Sequence, residues 1–132
     1  RRRQAFTLME VLLVLVILVV LGSMVGVFIR RAQKTADVNA TKSQIGLFEQ
    51  GLEMYQLEIK NYPTTQQGLV ALRELPGDLA NPDKWNGPYL KKDVPRDAWD
   101  NEYQYELIDA DTYRIWSFGP DGQDGTDDDI ES

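Results

Sequence analysis

Residues 6–29 read FTLMEVLLVLVILVVLGSMVGVFI, and Glu10 is the one ionisable side chain among these 24 residues. As a helix at 1.5 Å per residue this stretch extends roughly 36 Å, enough to cross a hydrocarbon core of about 30 Å. A secretory signal would have a shorter apolar core closed by small residues at a cleavage site. Here the apolar run is longer, and Arg30 and Arg31 follow it directly. A retained membrane helix is therefore expected. Arg1, Arg2 and Arg3 favour a cytoplasmic N-terminus, although Arg30, Arg31 and Lys34 put positive charge on the far side as well.

Beyond Arg31 the hydrophobic pattern changes rather than ends. Ile45, Phe48, Leu52, Tyr55 and Ile59 recur at alternating spacings of three and four, with Lys42, Gln44, Glu49, Gln50, Glu53 and Lys60 between them. That is the stripe of an amphipathic helix packed on a core. No proline occurs before Pro63, whose ring disfavours helical geometry at Tyr62. One helix of about 50 residues is expected, lipid-facing at its start and packed on a domain at its end. Gly46 and Gly51 are its local weak points, each costing up to about 1 kcal/mol relative to alanine.

Downstream, Thr64 or Thr65 is placed to cap a short second helix through Leu75, stopped by Pro76-Gly77. Leu79–Pro88 reads as a loop and Pro95–Asn101 as a turn. Glu102–Ile108 alternates as a strand, Asp109-Ala-Asp111 turns, and Thr112–Phe118 is a second strand, so the pair forms a hairpin. The fold class is α+β: a long N-terminal helix packed on a small antiparallel sheet, followed by an acidic C-terminal loop.

Composition removes several chemistries. With neither cysteine nor histidine, disulfides, thiol catalysis, imidazole bases and histidine or cysteine metal sites are excluded. From Thr35 onward 8 basic residues face 20 acidic ones. Phosphate recognition needs a basic face, so nucleic acid is not an expected partner. No acidic pair lies in an evident pocket motif, and an enzyme is not expected. The aromatic residues Tyr62, Trp85, Tyr89, Trp99, Tyr103, Tyr105, Tyr113, Trp116 and Phe118 suit a small core against the long helix better than a ligand platform.

Two features call for partners. A carboxylate within the apolar segment costs on the order of 3 kcal/mol unless it is neutralised or reaches the headgroup level, and the segment itself offers Glu10 no cation. In the tail, Asp121, Asp124, Asp127, Asp128 and Asp129 fall within nine residues. Carboxylate and carbonyl oxygens with intervening glycines suit calcium, which takes six to eight such ligands. The spacing is not that of an EF-hand, because the position eleven residues after Asp121 is Ser132 rather than glutamate. A solvated acidic terminus is the competing reading.

The motif Phe6-Thr-Leu-Met-Glu10 before an apolar run resembles the N-terminus of type IV pilins and pseudopilins. Tyr62-Pro-Thr-Thr-Gln-Gln-Gly-Leu69, Gly87-Pro-Tyr-Leu with Asp97-Ala-Trp99-Asp-Asn, and Gly119-Pro-Asp121-Gly with Gly125-Thr-Asp-Asp-Asp-Ile130 resemble, more specifically, the major pseudopilins of type II secretion systems. The resemblance implies that a prepilin peptidase cuts between Ala5 and Phe6 and that the new amine is methylated. Glycine is usual before the cut, where this chain has Ala5. Residues 1–5 would then be a leader remnant, 6–29 a transmembrane and assembly helix, and 30–132 a periplasmic domain anchored by a single pass in the bacterial inner membrane.

The family supplies Glu10 with a partner, the amine of Phe6 on a neighbouring subunit. It places calcium on Asp121, Asp128 and Asp129, with carbonyls near Phe118 and Gln123. Many relatives have a proline in the outer half of the membrane helix, where this chain has Val25-Gly-Val-Phe-Ile29. The function implied is that of a structural subunit of a periplasmic filament, a helical homopolymer. Minor pseudopilins, a motor and an inner-membrane assembly platform would be its partners. The alternative is a subunit of a type IV surface pilus.

Overall fold

A computed structural model describes residues 1–131. Two compact units divide between Ala36 and Asp37. The principal helix, α1, runs from Leu8 to Ile59, 52 residues, close to the length its pattern predicts.

In the first unit α1 begins with Thr7 as its N-cap. The Glu10 N–H donates to Thr7 Oγ1 at 3.2 Å, satisfying one of the free donors of the first turn. The large apolar side chains that follow, from Leu8 to Ile29, are all exposed. The most apolar window has a mean hydropathy of 3.1, and none of it is buried by the chain.

In the second unit all five residues of the predicted stripe are buried: Ile45, Phe48, Leu52, Tyr55 and Ile59. They form the core with Leu69, Leu72, Leu90, Tyr105, Ile115 and Ile130. Most of the aromatic pairs within or against it are edge-on, as in the Phe48–Tyr103 pair at 5.0 Å between ring centroids, while Tyr105 and Tyr113 stack. The helix ends as its sequence predicts: Lys60 takes a left-handed φ of 71°, and Pro63 follows fully buried.

The expected second α-helix is replaced by a turn and a 3-10 helix, Leu69–Leu72. Its start is capped as predicted, Gln67 N–H on Thr64 Oγ1 and Thr64 N–H on Gln67 Oε1, a reciprocal capping box. Two causes stop an α-helix from following. Gly68 has a φ of 61°, outside the helical region. The carbonyls of Ala71 and Leu72 are taken by Trp85 Nε1 and by the Tyr89 N–H. Arg73 ties the same segment to the next loop, donating to Leu90 O and Asp93.

Strands β1 (Gln104–Asp109) and β2 (Thr112–Ser117) form the expected hairpin, with Tyr105 opposite Ile115 and Leu107 opposite Tyr113. The turn is closed by the Asp111 N–H on Asp109 Oδ1. Buried Tyr105 donates its hydroxyl to Pro63 O at 2.7 Å. A third strand lies in the tail: β3 (Ile130–Glu131) pairs antiparallel with β2, so the acidic stretch is a closed loop between two neighbouring strands.

The two weak points of α1 separate on packing. A side chain at Gly46 would meet open space, whereas one at Gly51 would press on Leu72 and Leu90. Gly46→Ala should therefore raise stability by about 0.5–1 kcal/mol through reduced backbone entropy of the unfolded chain. Gly51→Val should lower it by about 1–3 kcal/mol through overpacking. Chemical denaturation of the two variants checks both signs.

Candidate functional sites

Glu10 lies in the first turn of α1, where a negative charge also complements the helix dipole. Among the described residues its carboxylate has no ion-pair partner within 4 Å. Phe6 precedes the helix and is 81 % exposed. Ala5 is exposed as well. The site is thus one carboxylate at the head of an uncovered apolar helix, with no counter-charge on it among the described residues.

The C-terminal loop is more elaborate than its composition indicates. Asp121 is bound through both oxygens, Oδ1 by the Gln123 N–H at 3.0 Å and Oδ2 by the Thr126 hydroxyl at 2.6 Å. These two donors, the hydroxyl foremost, hold its carboxyl below the ordinary carboxylate range. Asp129 Oδ2 accepts from the Gly125 N–H at 2.8 Å. Its other oxygen, Oδ1, is buried without a hydrogen-bonding partner among the described residues. Asp128 and Asp127 are exposed. Asp124 turns back to the sheet and accepts from Trp116 Nε1 at 2.9 Å. The guanidinium of Arg114 covers the Trp116 ring at 4.2 Å and pairs with Glu131 of β3.

Of the ligands expected for calcium, Asp121, Asp128, Asp129, Phe118 and Gln123 all fall on this one loop or at its entrance. The three carboxylates are not gathered: among the described residues no group of three or more acidic side chains is close enough to hold a metal. The fit to a dication rests instead on the bare Asp129 Oδ1. A buried oxygen of this kind costs free energy until a cation, proton or water meets it. A set with few carboxylates and several carbonyls remains within calcium chemistry.

Sequence reasoning missed a buried chain of bonds beneath the loop. Asp97, 7 % exposed, accepts from the Trp99 and Asn101 N–H groups through Oδ1, and from the Ser117 hydroxyl through Oδ2 at 2.6 Å. Ser117 in turn accepts from the Gly119 N–H. An aspartate opening a turn was a signal for the first part. Ser117 carried none.

Elsewhere in the second unit an open groove of about 660 Å³ lies between Leu47 and Met54 of α1 and the Tyr89–Pro95 segment, with Lys91 and Lys92 beside it. Its one carboxylate, Asp93, is paired with Arg73.

Residues 29–132 match the family described as Type II secretion system (T2SS), protein G, and residues 1–26 match the prokaryotic N-terminal methylation motif. The type II secretion system core protein G of Aeromonas hydrophila is 41 % identical, over 98 % of this chain and 92 % of its own length. That of Escherichia coli K12 is 39 % identical, over 98 % and 90 %. Among solved structures, the major pseudopilin from the type 2 secretion system of enterohaemorrhagic Escherichia coli is similar, with a TM-score of 0.67 at 34 % identity. That match covers 76 % of this chain and 86 % of that one.

The loop geometry makes two expectations concrete. Trp116→Phe keeps an aromatic face for Arg114 but deletes the N–H that Asp124 accepts and part of the buried indole, so it should cost about 2–3 kcal/mol in denaturant unfolding. Because the Asp121 pKa is lowered on folding from its reference value of 3.8, its contribution is fully present above that value. It is lost as pH falls through the lower folded pKa. A carboxyl-carbon NMR titration should therefore find Asp121 more than half ionised at pH 3.8, and Thr126→Val should move its midpoint up.

Proposed function

The chain belongs to the type II secretion system protein G family, and from that premise we propose a structural role for it as the repeating subunit of the pseudopilus. It is a pseudopilin, and it assembles into a filament with the secretion machinery. The observation that carries the role is the apolar half of α1. Twenty-odd residues of continuous hydrophobic helix have no cover within the chain, so they require lipid before assembly and other helices after it. The secretion family match spans residues 29–132, whereas the methylation motif spans only residues 1–26. This weighs for a secretion pseudopilus and against a surface pilus.

In detail, α1 anchors the subunit as a single pass in the inner membrane with residues 30–132 in the periplasm. The peptidase cuts between Ala5 and Phe6, and the Phe6 amine is methylated. In the polymer that amine, supplied by a neighbouring subunit, meets Glu10 in a charge-assisted pair. Gly22, Ser23 and Gly26 give the helices a small-residue face for close approach. Minor pseudopilins, the assembly platform and its motor are the other partners, and the role is mechanical rather than catalytic.

Calcium is proposed for the C-terminal loop, held by Asp121, Asp128 and Asp129 with carbonyls of Phe118 and Gln123. The ion would neutralise the acidic loop and meet Asp129 Oδ1. The support is that bare oxygen together with the family resemblance.

Glu10→Val keeps the anchor and removes the pairing. Filament yield in cells should fall at least tenfold while the thermal unfolding of the purified variant in detergent stays at the wild-type temperature. A wild-type yield of filaments would refute the pairing. For calcium, chelation should lower the melting temperature of the full chain in detergent, the bound ion adding about 2.7 kcal/mol at 100 times its Kd. Asp128→Ala should abolish that response, and equal melting with calcium and with chelator would exclude the site.

A further inference from the structure

We propose that the buried Asp97–Ser117 pair is a positioning device for the cation-binding loop, acting by locking the orientation of the Phe118–Gly119 peptide. This rests on the calcium reading above and adds to it two residues that contribute no ligand atom.

The geometry is directional. A serine hydroxyl has a single proton, and a carboxylate only accepts. The Ser117 proton is therefore committed to Asp97 Oδ2, 2.6 Å away, and Ser117 can otherwise only accept. The Gly119 N–H donates to it at 3.1 Å, and both bonds are buried. The N–H of Gly119 belongs to the same planar peptide as the carbonyl of Phe118, and in a trans peptide the two point in opposite directions. Holding the N–H on Ser117 therefore turns the Phe118 carbonyl away from the buried pair and keeps it from flipping. That carbonyl is one of the two proposed for the ion.

The same peptide sits where the loop closes on itself. Gly119 has a φ of 72°, and a Cβ built there would lie 2.0 Å from the Asp128 carbonyl oxygen. Entrance and exit of the loop are thus in contact at Gly119, and an orientation set there acts on Asp128 and Asp129 as well. Asp97 is itself held by the turn it opens, through Trp99, Asn101 and its own N–H on Asn101 O at 2.9 Å. The turn also lies against the loop, since a Cβ at Gly122 would be 3.5 Å from Asn101 Nδ2. Partners behind metal ligands commonly change affinity by about 10–100-fold when removed, because they fix ligand direction.

The test is calcium affinity of the full chain in detergent, measured by isothermal titration well below every melting temperature. Ser117→Ala should weaken binding about tenfold and speed exchange of the Gly119 amide proton in calcium-free protein. Ile115→Val, a core truncation on the same strand, should lower the melting temperature and leave the Kd unchanged. Should Ser117→Ala fail to fold, Asp97→Asn serves: it keeps Oδ1 for Trp99 and Asn101 but presents an amide donor to Ser117, leaving the hydroxyl proton without its acceptor. It too should raise the Kd. A folded Ser117→Ala or Asp97→Asn protein with the wild-type Kd, merely melting lower with and without calcium, overturns the proposal and leaves the calcium reading standing. Absence of calcium binding in the wild type defeats both.

Discussion

A helix satisfies its own backbone, but it does not choose what covers its side chains. In α1 the first half presents apolar groups on every face and the chain supplies nothing to cover them, while the second half concentrates them in one stripe. The first half is stable only in lipid or among other helices, where its hydrogen-bonded backbone costs nothing to bury. The second half nucleates a core in water. Membrane residence, polymer formation and the small folded domain all follow from that single change of pattern between Ile29 and Thr41.

Glu10 has meaning only within this constraint. On a water-exposed helix it would be an ordinary first-turn acid beside Thr7. Within an apolar segment it is a charge for which the segment supplies no cation, and in the proposed filament it would select a neighbour. Electrostatic selection of this kind would set register as well as affinity, because a single buried charge has one satisfactory partner position.

The C-terminal loop solves the opposite problem, an excess of like charge on the surface. Its carboxylates are kept apart rather than clustered: Asp121 is turned onto Thr126 and Gln123, Asp124 onto Trp116, Asp129 onto Gly125. Arg114 brings a positive charge to the same edge by lying over Trp116 and pairing with Glu131. The loop is closed by pairing of β3 with β2 and by the contact of Gly119 with the Asp128 carbonyl. It therefore has a defined shape.

Local sequence determined the elements whose causes are local. The 24-residue apolar run, the three-four stripe from Ile45 to Ile59, the stop before Pro63 and the alternation on either side of Asp109-Ala-Asp111 each act through neighbours a few residues away. The position of Glu10 and the clustering of aspartates after Gly119 were legible for the same reason, and motif resemblance added the family. Tertiary structure alone decided the rest. Gly68 helps to hold Leu69–Leu72 to a 3-10 helix, but the carbonyls it leaves are taken by Trp85 and Tyr89, which are remote in sequence. Ile130–Glu131 is too short to declare itself and became a strand because β2 offered a free edge. Ser117 acquired its place between Asp97 and Gly119 only when the hairpin was folded, since a serine at a strand end has no periodicity or charge to mark it. The meeting of such groups depends on distances set by the core, and no local pattern encodes them.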